Sequence, residues 1–136
     1  MIAKVWKSVP LWKGVRTLSV STKPTLFEQI ADKTIPSDIL FEDDVCCAFR
    51  DVNPCAPVHF LVVPKKCNNL TQLRNMRDDQ EQLVGHLMHV ASKLAVREGL
   101  EKGYRIVVND GKEALQSVFH LHIHVIGGKK CGWPPV

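Results

Sequence analysis

One stretch of the chain decides the fold, and it reads Gln116, Ser117, Val118, Phe119, His120, Leu121, His122, Ile123, His124, Val125, Ile126. Three of the six histidines of the sequence alternate here with aliphatic residues. Successive side chains of a β-strand point to opposite faces, whereas positions two apart on a helix do not share a face. The alternation therefore predicts a strand with His120, His122 and His124 on one face and an apolar face toward the core.

A row of imidazoles on one strand face has three interpretations. It is a solvated face without function, or a metal site, because neutral imidazole is a common ligand for zinc and copper. The third interpretation is nucleophilic and acid–base catalysis at phosphorus, in which one imidazole attacks and a neighbour moves the proton. Gln116 and Ser117 lie just upstream and are neutral hydrogen-bonding groups rather than typical metal ligands. They favour the third interpretation.

Length and composition are those of one globular domain. The chain has 136 residues, of which 45% are hydrophobic and 24% charged. No apolar run approaches the ~20 residues that span a bilayer, so no membrane partner is expected. The formal net charge of +4 comes from residues 1–22, and the remainder is balanced. The folded domain therefore has no basic excess of the kind that binds nucleic acid.

Residues 1–22 form a separate segment in this prediction. They contain four basic residues, no acidic residue, and hydroxylated and apolar residues between them. This composition resembles a mitochondrial transit peptide, with a disordered cytosolic tail as the alternative. We expect a mitochondrial protein, otherwise a cytoplasmic one, with its folded domain at residues 23–136. The five cysteines are odd in number and lack CxxC spacing, which fits unpaired thiols in a reducing compartment.

Periodicity and turn residues predict the remaining elements. The predicted order is a helix at 24–33, strands at 39–41, 45–50 and 58–63, a helix from 78 to about 99, and strands at 104–109 and 121–126. Asp78 and Glu81 form a capping-box-like start to the long helix. Strand runs broken by one long helix indicate an α+β domain with an antiparallel sheet.

The run from His120 to Val125 resembles the histidine-triad signature, His-x-His-x-His flanked by hydrophobic residues. Other stretches are similar to the histidine triad nucleotide-binding (Hint) branch of that family: Phe41-Glu42-Asp43-Asp44, Ala48-Phe49-Arg50-Asp51, His59-Phe60-Leu61-Val62-Val63-Pro64-Lys65-Lys66, Gly103-Tyr104-Arg105-Ile106-Val107-Val108-Asn109, Gln116-Ser117-Val118 and Gly132-Trp133-Pro134-Pro135. The resemblance covers about residues 24 to 136. With its leader, the chain looks most like the mitochondrial members.

The resemblance implies an α+β fold with a five-stranded antiparallel sheet, one long and one short helix, and a sheet continued across a homodimer. It implies hydrolysis of purine nucleoside phosphoramidates and aminoacyl-adenylates, and binding of AMP-type nucleotides. It also implies that the protein needs no cofactor and no metal for catalysis.

The same resemblance implies catalytic roles for five residues. His122 would attack the α-phosphorus and form a nucleotidyl-histidine, and His124 would contact the phosphate and share in proton transfer. His59 would lie behind this relay. Ser117 would help the leaving amine depart, and His120 would orient the row.

A second set of residues is implied to bind the nucleotide. Asp51 would take the ribose hydroxyls, since a carboxylate is an acceptor-only group suited to a diol, and Val52 would lie beside it. Asn109 and Gln116 would hold phosphate or ribose oxygens. The base pocket would be lined by Phe27, Ile30 and Phe49. The predicted nucleotide-binding set is completed by Arg50, Leu115, Ser117, His122, Ile123, His124 and Trp133.

Other functions compete with the phosphoramidase. One is a nucleotide-binding or scaffold protein with little turnover. Another is a zinc-binding module. A third is a dinucleoside polyphosphate hydrolase, against which the Gly132-Trp133-Pro134-Pro135 ending speaks, because that ending looks like the Hint branch.

Overall fold

The structure is a computed structural model that describes residues 23–136. The predicted leader, residues 1–22, lies outside the described residues. The chain order of the described elements is α1 (Leu26–Ala31), β1 (Ile39–Glu42), β2 (Cys46–Arg50), β3 (Val58–Pro64), α2 (Glu81–Arg97), β4 (Tyr104–Val107) and β5 (Ile123–Gly127). The five strands form one antiparallel sheet in the order β1-β2-β3-β5-β4. The predicted α+β class, with one long and one short helix, is confirmed.

Asp43 sets the turn between β1 and β2. Its Oδ1 atom accepts hydrogen bonds from the backbone N–H groups of Val45 (2.9 Å) and Cys46 (2.8 Å). Asp side chains stabilise turns in this way because they mimic a backbone acceptor. The strand partners then align as an antiparallel hairpin, with Glu42 opposite Cys47.

The helix α2 covers one face of the sheet, the α2 face. Its apolar stripe includes Leu87, Val90 and Leu94, which are buried at helical spacing as predicted. The sheet contributes to this core its alternate positions Cys46, Ala48, Phe60, Val62, Ile123 and Val125. Each large buried side chain contributes about 1.5–3 kcal/mol to stability.

The short helix α1 covers the opposite face, the α1 face. Thr25 is its N-cap, and the Thr25 hydroxyl accepts from the N–H of Glu28 at 3.0 Å. Phe27 and Ile30 pack from α1 onto the sheet residues Cys47, Phe49, Leu61 and Val63. Alternate residues of β2 and β3 therefore contribute to two separate cores, one on each face of the sheet.

Three boundaries differ from the sequence prediction. The long helix is preceded by a 3₁₀ turn at Asp78–Gln80, and the side chain of Gln80 accepts from the N–H of Arg77, so this capping contact replaces the predicted Asp78–Glu81 pair. β4 ends at Val107, and β5 begins only at Ile123. Residues 120–122 precede the strand. The N–H of Leu121 bonds to the carbonyl of Leu70, and the ring of His120 bonds to the carbonyl of Pro64, the last residue of β3. Within residues 23–136, no helix is long and apolar enough to cross a membrane.

Candidate active site

The three predicted histidines lie on the α1 face, as the alternation predicts. The ring centroids of His122 and His124 are 5.0 Å apart, and those of His124 and His59 are 5.2 Å apart. Phe27 of α1 packs edge-on to His122 at 5.0 Å. β5 and β3 pair so that Leu61 lies opposite His124, which brings His59, two residues before Leu61, to the same face. The site is therefore a row of four imidazoles that runs across two neighbouring strands.

His120 is locked in one tautomer. Its Nε2 lies 2.7 Å from the carbonyl oxygen of Pro64, which can only accept, so Nε2 carries the proton. Its Nδ1 lies 2.6 Å from the Thr25 hydroxyl, which must then be the donor. His120 is fully buried, and burial lowers its pKa. Both ring nitrogens are thus engaged, and the role of His120 in orienting the row stays a prediction.

His122 presents a free lone pair. Its Nδ1 lies 2.7 Å from the carbonyl oxygen of His120, so Nδ1 carries the proton and Nε2 is the unprotonated nitrogen. Burial lowers the pKa of His122, and this keeps the ring neutral at pH 7. A neutral imidazole with an available Nε2 is the form that attacks an electrophile.

His124 has the opposite tautomer, and the reason lies in its neighbour. The N–H of Cys55 donates to Nδ1 of His59 at 3.1 Å, so the proton of neutral His59 is on Nε2. That Nε2–H donates to Nδ1 of His124 at 2.9 Å, with Oδ2 of Asp51 at 3.3 Å. The proton of His124 is therefore on Nε2.

The Nε2 atom of His124 is the one buried side-chain polar atom of the described chain that has no hydrogen-bond partner. Burial, with a smaller effect of His122 and His59, lowers the pKa of His124 to about 4. An unpaired buried donor costs about 1–3 kcal/mol, and native structures rarely leave one without a reason. The row thus combines an acceptor nitrogen on His122 with an unsatisfied donor on His124. That combination suits a ligand with an electrophilic centre and an anionic oxygen.

The predicted base pocket is assembled in part. Phe27, Ile30 and Phe49 lie in one cluster beside the row, with the rings of Phe27 and Phe49 5.5 Å apart. Asp51 lies at the end of the row, where its Oδ1 accepts from the N–H of Asn53 and its Oδ2 faces His59. Its contact with ribose stays a prediction.

Three predicted nucleotide-binding side chains are engaged elsewhere. The amide of Gln116 accepts from the N–H of Gly111 and donates to the carbonyls of Thr71 and Val118, which uses both of its N–H donors. The guanidinium of Arg50 pairs with Asp38 and with Glu98 beyond the end of α2. The side chain of Ile123 is buried in the α2 core. The structure does not bring these three side chains to the imidazole row.

The remaining predicted residues lie on the surface. Val52, Leu115 and Trp133 are more than four-fifths exposed, and Leu115 has a left-handed backbone with φ of 58°. Asn109 is half-buried just after β4. Ser117 is exposed and lines a groove with Phe119 and Asn75. Contacts of these five residues with a nucleotide stay predictions.

Sequence reasoning missed three groups that fix the row. They are the Thr25 hydroxyl, the Pro64 carbonyl and the Cys55 N–H. Thr25 precedes an apolar-periodic segment, which is an N-cap signal. No local signal reveals that the same hydroxyl reaches a histidine 95 positions away.

Two groups of potential metal ligands lie at this site. The ligand atoms of Asp51, His59 and His124 lie within 4.8 Å of one another, and so do those of Glu28, Cys67 and His120. A cation between His59 and His124 would have to displace the proton that joins the two rings. The second group offers no free nitrogen, because both nitrogens of His120 are hydrogen-bonded. Neither group has the geometry of a ready metal site.

Comparisons with known proteins identify the family of the chain. The model of the HIT domain matches residues 32–131. The "14 kDa zinc-binding protein" of Zea mays is 46% identical over 112 residues, which cover 82% of this chain and 88% of the relative. "Adenylylsulfatase HINT1" of Arabidopsis thaliana is 46% identical over 115 residues, which cover 85% of this chain and 78% of the relative.

A solved structure has the same fold. The crystal structure of a HIT family hydrolase from Legionella pneumophila is 42% identical, with a TM-score of 0.78, and the match covers 82% of this chain and 99% of that one. The imidazole row, the five-stranded sheet and these relatives lead to one assignment. The chain belongs to the HIT domain family, in its Hint branch.

Proposed function

We propose that this protein is a hydrolase that acts at the α-phosphorus of purine nucleoside phosphoramidates, such as adenosine 5′-phosphoramidate, and of aminoacyl-adenylates. The observation that carries the proposal is the pair of opposite tautomers in the row. His122 offers an unprotonated Nε2, and His124 offers a buried N–H donor without a partner among the described residues. A nucleophile beside a donor for a phosphate oxygen is what displacement at phosphorus requires.

The first step forms a covalent intermediate. Nε2 of His122 attacks the phosphorus, a bond from nitrogen to phosphorus forms, and the bond from phosphorus to the leaving amine breaks. The amine takes a proton from the His124–His59 relay as it leaves, and Ser117 is proposed to assist its departure. The Nδ1–H of His122 remains on the carbonyl of His120, which stabilises the positive charge that the substituted ring acquires.

The second step releases the nucleotide. Water attacks the phosphorus of the nucleotidyl-histidine, the bond to Nε2 of His122 breaks, and a nucleoside monophosphate leaves. The proton of the water passes to the histidine relay, which returns it to its starting state. Burial lowers the pKa of His124 to about 4, so the ring is neutral at pH 7 before substrate binds. An anionic phosphate at its Nε2 would raise this pKa toward the range in which an imidazole carries a proton.

The test is continuous hydrolysis of an adenosine 5′-phosphoramidate that carries a fluorescent amine. Wild type, wild type with EDTA, His122→Ala and His89→Ala are compared. His89 is an exposed histidine of α2 and serves as the matched control. Turnover that is lost only in His122→Ala supports covalent, metal-free chemistry. No turnover in wild type that still binds AMP would leave a nucleotide-binding role, and loss of turnover on chelation would point to a metal.

The name of the Arabidopsis relative supports a second substrate class. In adenylyl sulfate the phosphorus has sulfate as its leaving group, and the same attack by His122 would release it without a proton donor. Ser117→Ala separates the two substrates. The variant should slow release of an amine and leave release of sulfate nearly unchanged.

The name of the maize relative supports a third candidate, a zinc-binding module at the histidine row. The convergence of Asp51, His59 and His124 is the observation that favours it. Inhibition of the phosphoramidase by zinc, abolished in His59→Gln, would support this candidate. Stoichiometric zinc required for turnover would replace the metal-free mechanism.

The homodimer and the mitochondrial location are proposals as well. β4 is an edge strand of the sheet, so its free backbone groups are available to pair with a second copy. Light scattering of the purified protein tests the dimer. A fluorescent fusion with and without residues 1–22 tests the targeting segment.

A further inference from the structure

A third group of potential metal ligands lies away from the imidazole row. It consists of Asp43 in the β1–β2 turn, Cys46 at the start of β2 and His86 on α2. The carboxylate, thiol and imidazole atoms of the three residues lie within 4.8 Å of one another. Oδ2 of Asp43 and Nε2 of His86 are 2.6 Å apart. Carboxylate, thiolate and imidazole are the three ligand types that zinc takes in proteins.

Hydrogen bonds within the β1–β2 turn fix the position of the Asp43 carboxylate. Oδ1 of Asp43 is held by the N–H groups of Val45 and Cys46, and this aims Oδ2 at His86. Carboxylate ligands of metals are typically hydrogen-bonded in this way by groups behind them. Burial opposes ionisation of Asp43, but its hydrogen bonds from His86, Val45 and Cys46 outweigh burial and lower its pKa to about 2. The carboxylate is therefore charged at pH 7.

The three atoms are close to the spacing that zinc needs. Zinc bonds of about 2.0–2.3 Å in a tetrahedron place ligand atoms roughly 3.3–3.8 Å apart. Asp43 and His86 must separate by roughly 1 Å to reach that spacing. The side chain of His86 is 40% exposed and can rotate outward, whereas Cys46 is fully buried and fixed by the sheet.

We propose that Asp43, Cys46 and His86 bind one divalent cation of the zinc class, with water in the fourth position. Binding forms bonds from the metal to Sγ of Cys46, Oδ2 of Asp43 and Nε2 of His86. Burial and Asp43 raise the pKa of the Cys46 thiol to about 12, so its proton leaves to solvent only as the metal–sulfur bond forms. The Nε2 proton that joins His86 to Asp43 is displaced as well, and the neutral ring then carries its proton on Nδ1. The cation fastens the β1–β2 turn to the middle of α2. Its role is structural, because Cys46 belongs to the α2 face while the imidazole row lies on the α1 face.

The site is tested with Co²⁺, which reports its ligands by colour. A thiolate ligand gives a near-ultraviolet charge-transfer band, which nitrogen and oxygen ligands do not give. Chelator-treated full-length protein titrated with Co²⁺ should develop this band with one equivalent, and Zn²⁺ should abolish it. Asp51, His59 and His124 include no cysteine, so a cation bound there would not produce the band. A cation bound at Glu28, Cys67 and His120 would produce it, but that band would persist in Cys46→Ser.

Variants assign the ligands. Cys46→Ser should lose the band, and His86→Asn should weaken binding by about tenfold or more. Cys47→Ser is the matched control, because Cys47 is the next residue and faces the α1 core. His89→Asn is the control on α2. Both controls should keep the band, and phosphoramidase turnover verifies that each variant is folded.

Zn²⁺ should also raise the melting temperature of wild type and Cys47→Ser but not of Cys46→Ser, because a ligand stabilises only a state that binds it. Wild type without a charge-transfer band would overturn the proposal. A band that disappears in Cys47→Ser, or persists in Cys46→Ser, would overturn it as well.

Discussion

The two faces of the sheet are both buried, but different interactions hold them. On the α2 face, the core consists of apolar side chains of α2 and of alternate sheet residues. On the α1 face, four histidines are held by hydrogen bonds to Thr25, Pro64, Cys55 and one another. β5 contributes to both faces, since Ile123 and Val125 point toward α2 while His124 lies in the histidine row. Because successive side chains of a strand point to opposite faces, the apolar core of α2 and the histidine row lie on opposite sides of the sheet. Substitutions that change stability can therefore be separated from substitutions that change catalysis.

The largest expected effect comes from the nucleophile. His122→Ala should lower turnover by about four to six orders of magnitude, because the covalent intermediate cannot form. The free energy of unfolding should change by only about 1 kcal/mol, since one hydrogen bond to the His120 carbonyl is lost. Stopped or continuous hydrolysis and urea unfolding measure the two quantities. A loss of stability as large as that of a core variant would contradict the separation of the faces.

The opposite result is expected for a core variant on the α2 face, which should change stability rather than turnover. Leu87→Ala removes a fully buried side chain and should lower the free energy of unfolding by about 2–5 kcal/mol. Turnover per folded molecule should remain within about threefold of wild type, a change in activation free energy of at most about 0.65 kcal/mol. Denaturant titration gives the stability, and activity is normalised to the folded fraction. A larger loss of turnover would show that packing in the α2 core also affects catalysis at the histidine row.

The imidazole row should make stability depend on pH. Burial lowers the pKa of His124 to about 4 from an ordinary 6.5, so below pH 6.5 the unfolded chain binds a proton that the folded chain does not. This contribution to stability is complete above pH 6.5, falls as the pH drops from 6.5 to 4, and reaches about 3 kcal/mol in total. The pKa values of His120 and His122 are lowered in the same direction.

Comparison of wild type with His124→Gln isolates this effect. The difference in unfolding free energy between the two proteins should change between pH 6.5 and 4 and be constant from pH 7 to 8. Equal pH dependence in both proteins would mean that His124 is not held neutral by the fold.

The smallest expected effect concerns the connection between α1 and the row. Thr25→Val removes both the N-cap of α1 and the donor to His120, and should cost about 1 kcal/mol of stability and about tenfold in turnover. Thr25→Ser keeps the hydroxyl and should restore both. A turnover defect that persists in Thr25→Ser would assign the effect to packing of the methyl group instead.

Much of the fold was predictable because its signals are local. Alternation predicted the two faces of the histidine-rich strand β5, and the stripe through Leu87, Val90 and Leu94 predicted α2. The ladder of β5 starts later than predicted because the N–H of Leu121 bonds to the carbonyl of Leu70 rather than to a neighbouring strand. Gln116 is predicted to hold phosphate or ribose oxygens, and this contact stays a prediction. In the structure its hydrogen bonds close the loop between Gly111 and Val118. A buried amide is drawn to the nearest unpaired backbone groups, and sequence does not identify them.

The sequence by itself determined the α+β class, the face of the sheet that carries the histidines and the resemblance to the Hint branch, because each depends on residue order over a few positions. Only the tertiary structure decided which nitrogen of each histidine carries its proton. The bonds from His120 to Pro64 and to Thr25, and from His59 to His124, join residues 56, 95 and 65 positions apart. Tautomers are set by what lies at hydrogen-bond distance, and distance in space follows from packing rather than from order along the chain.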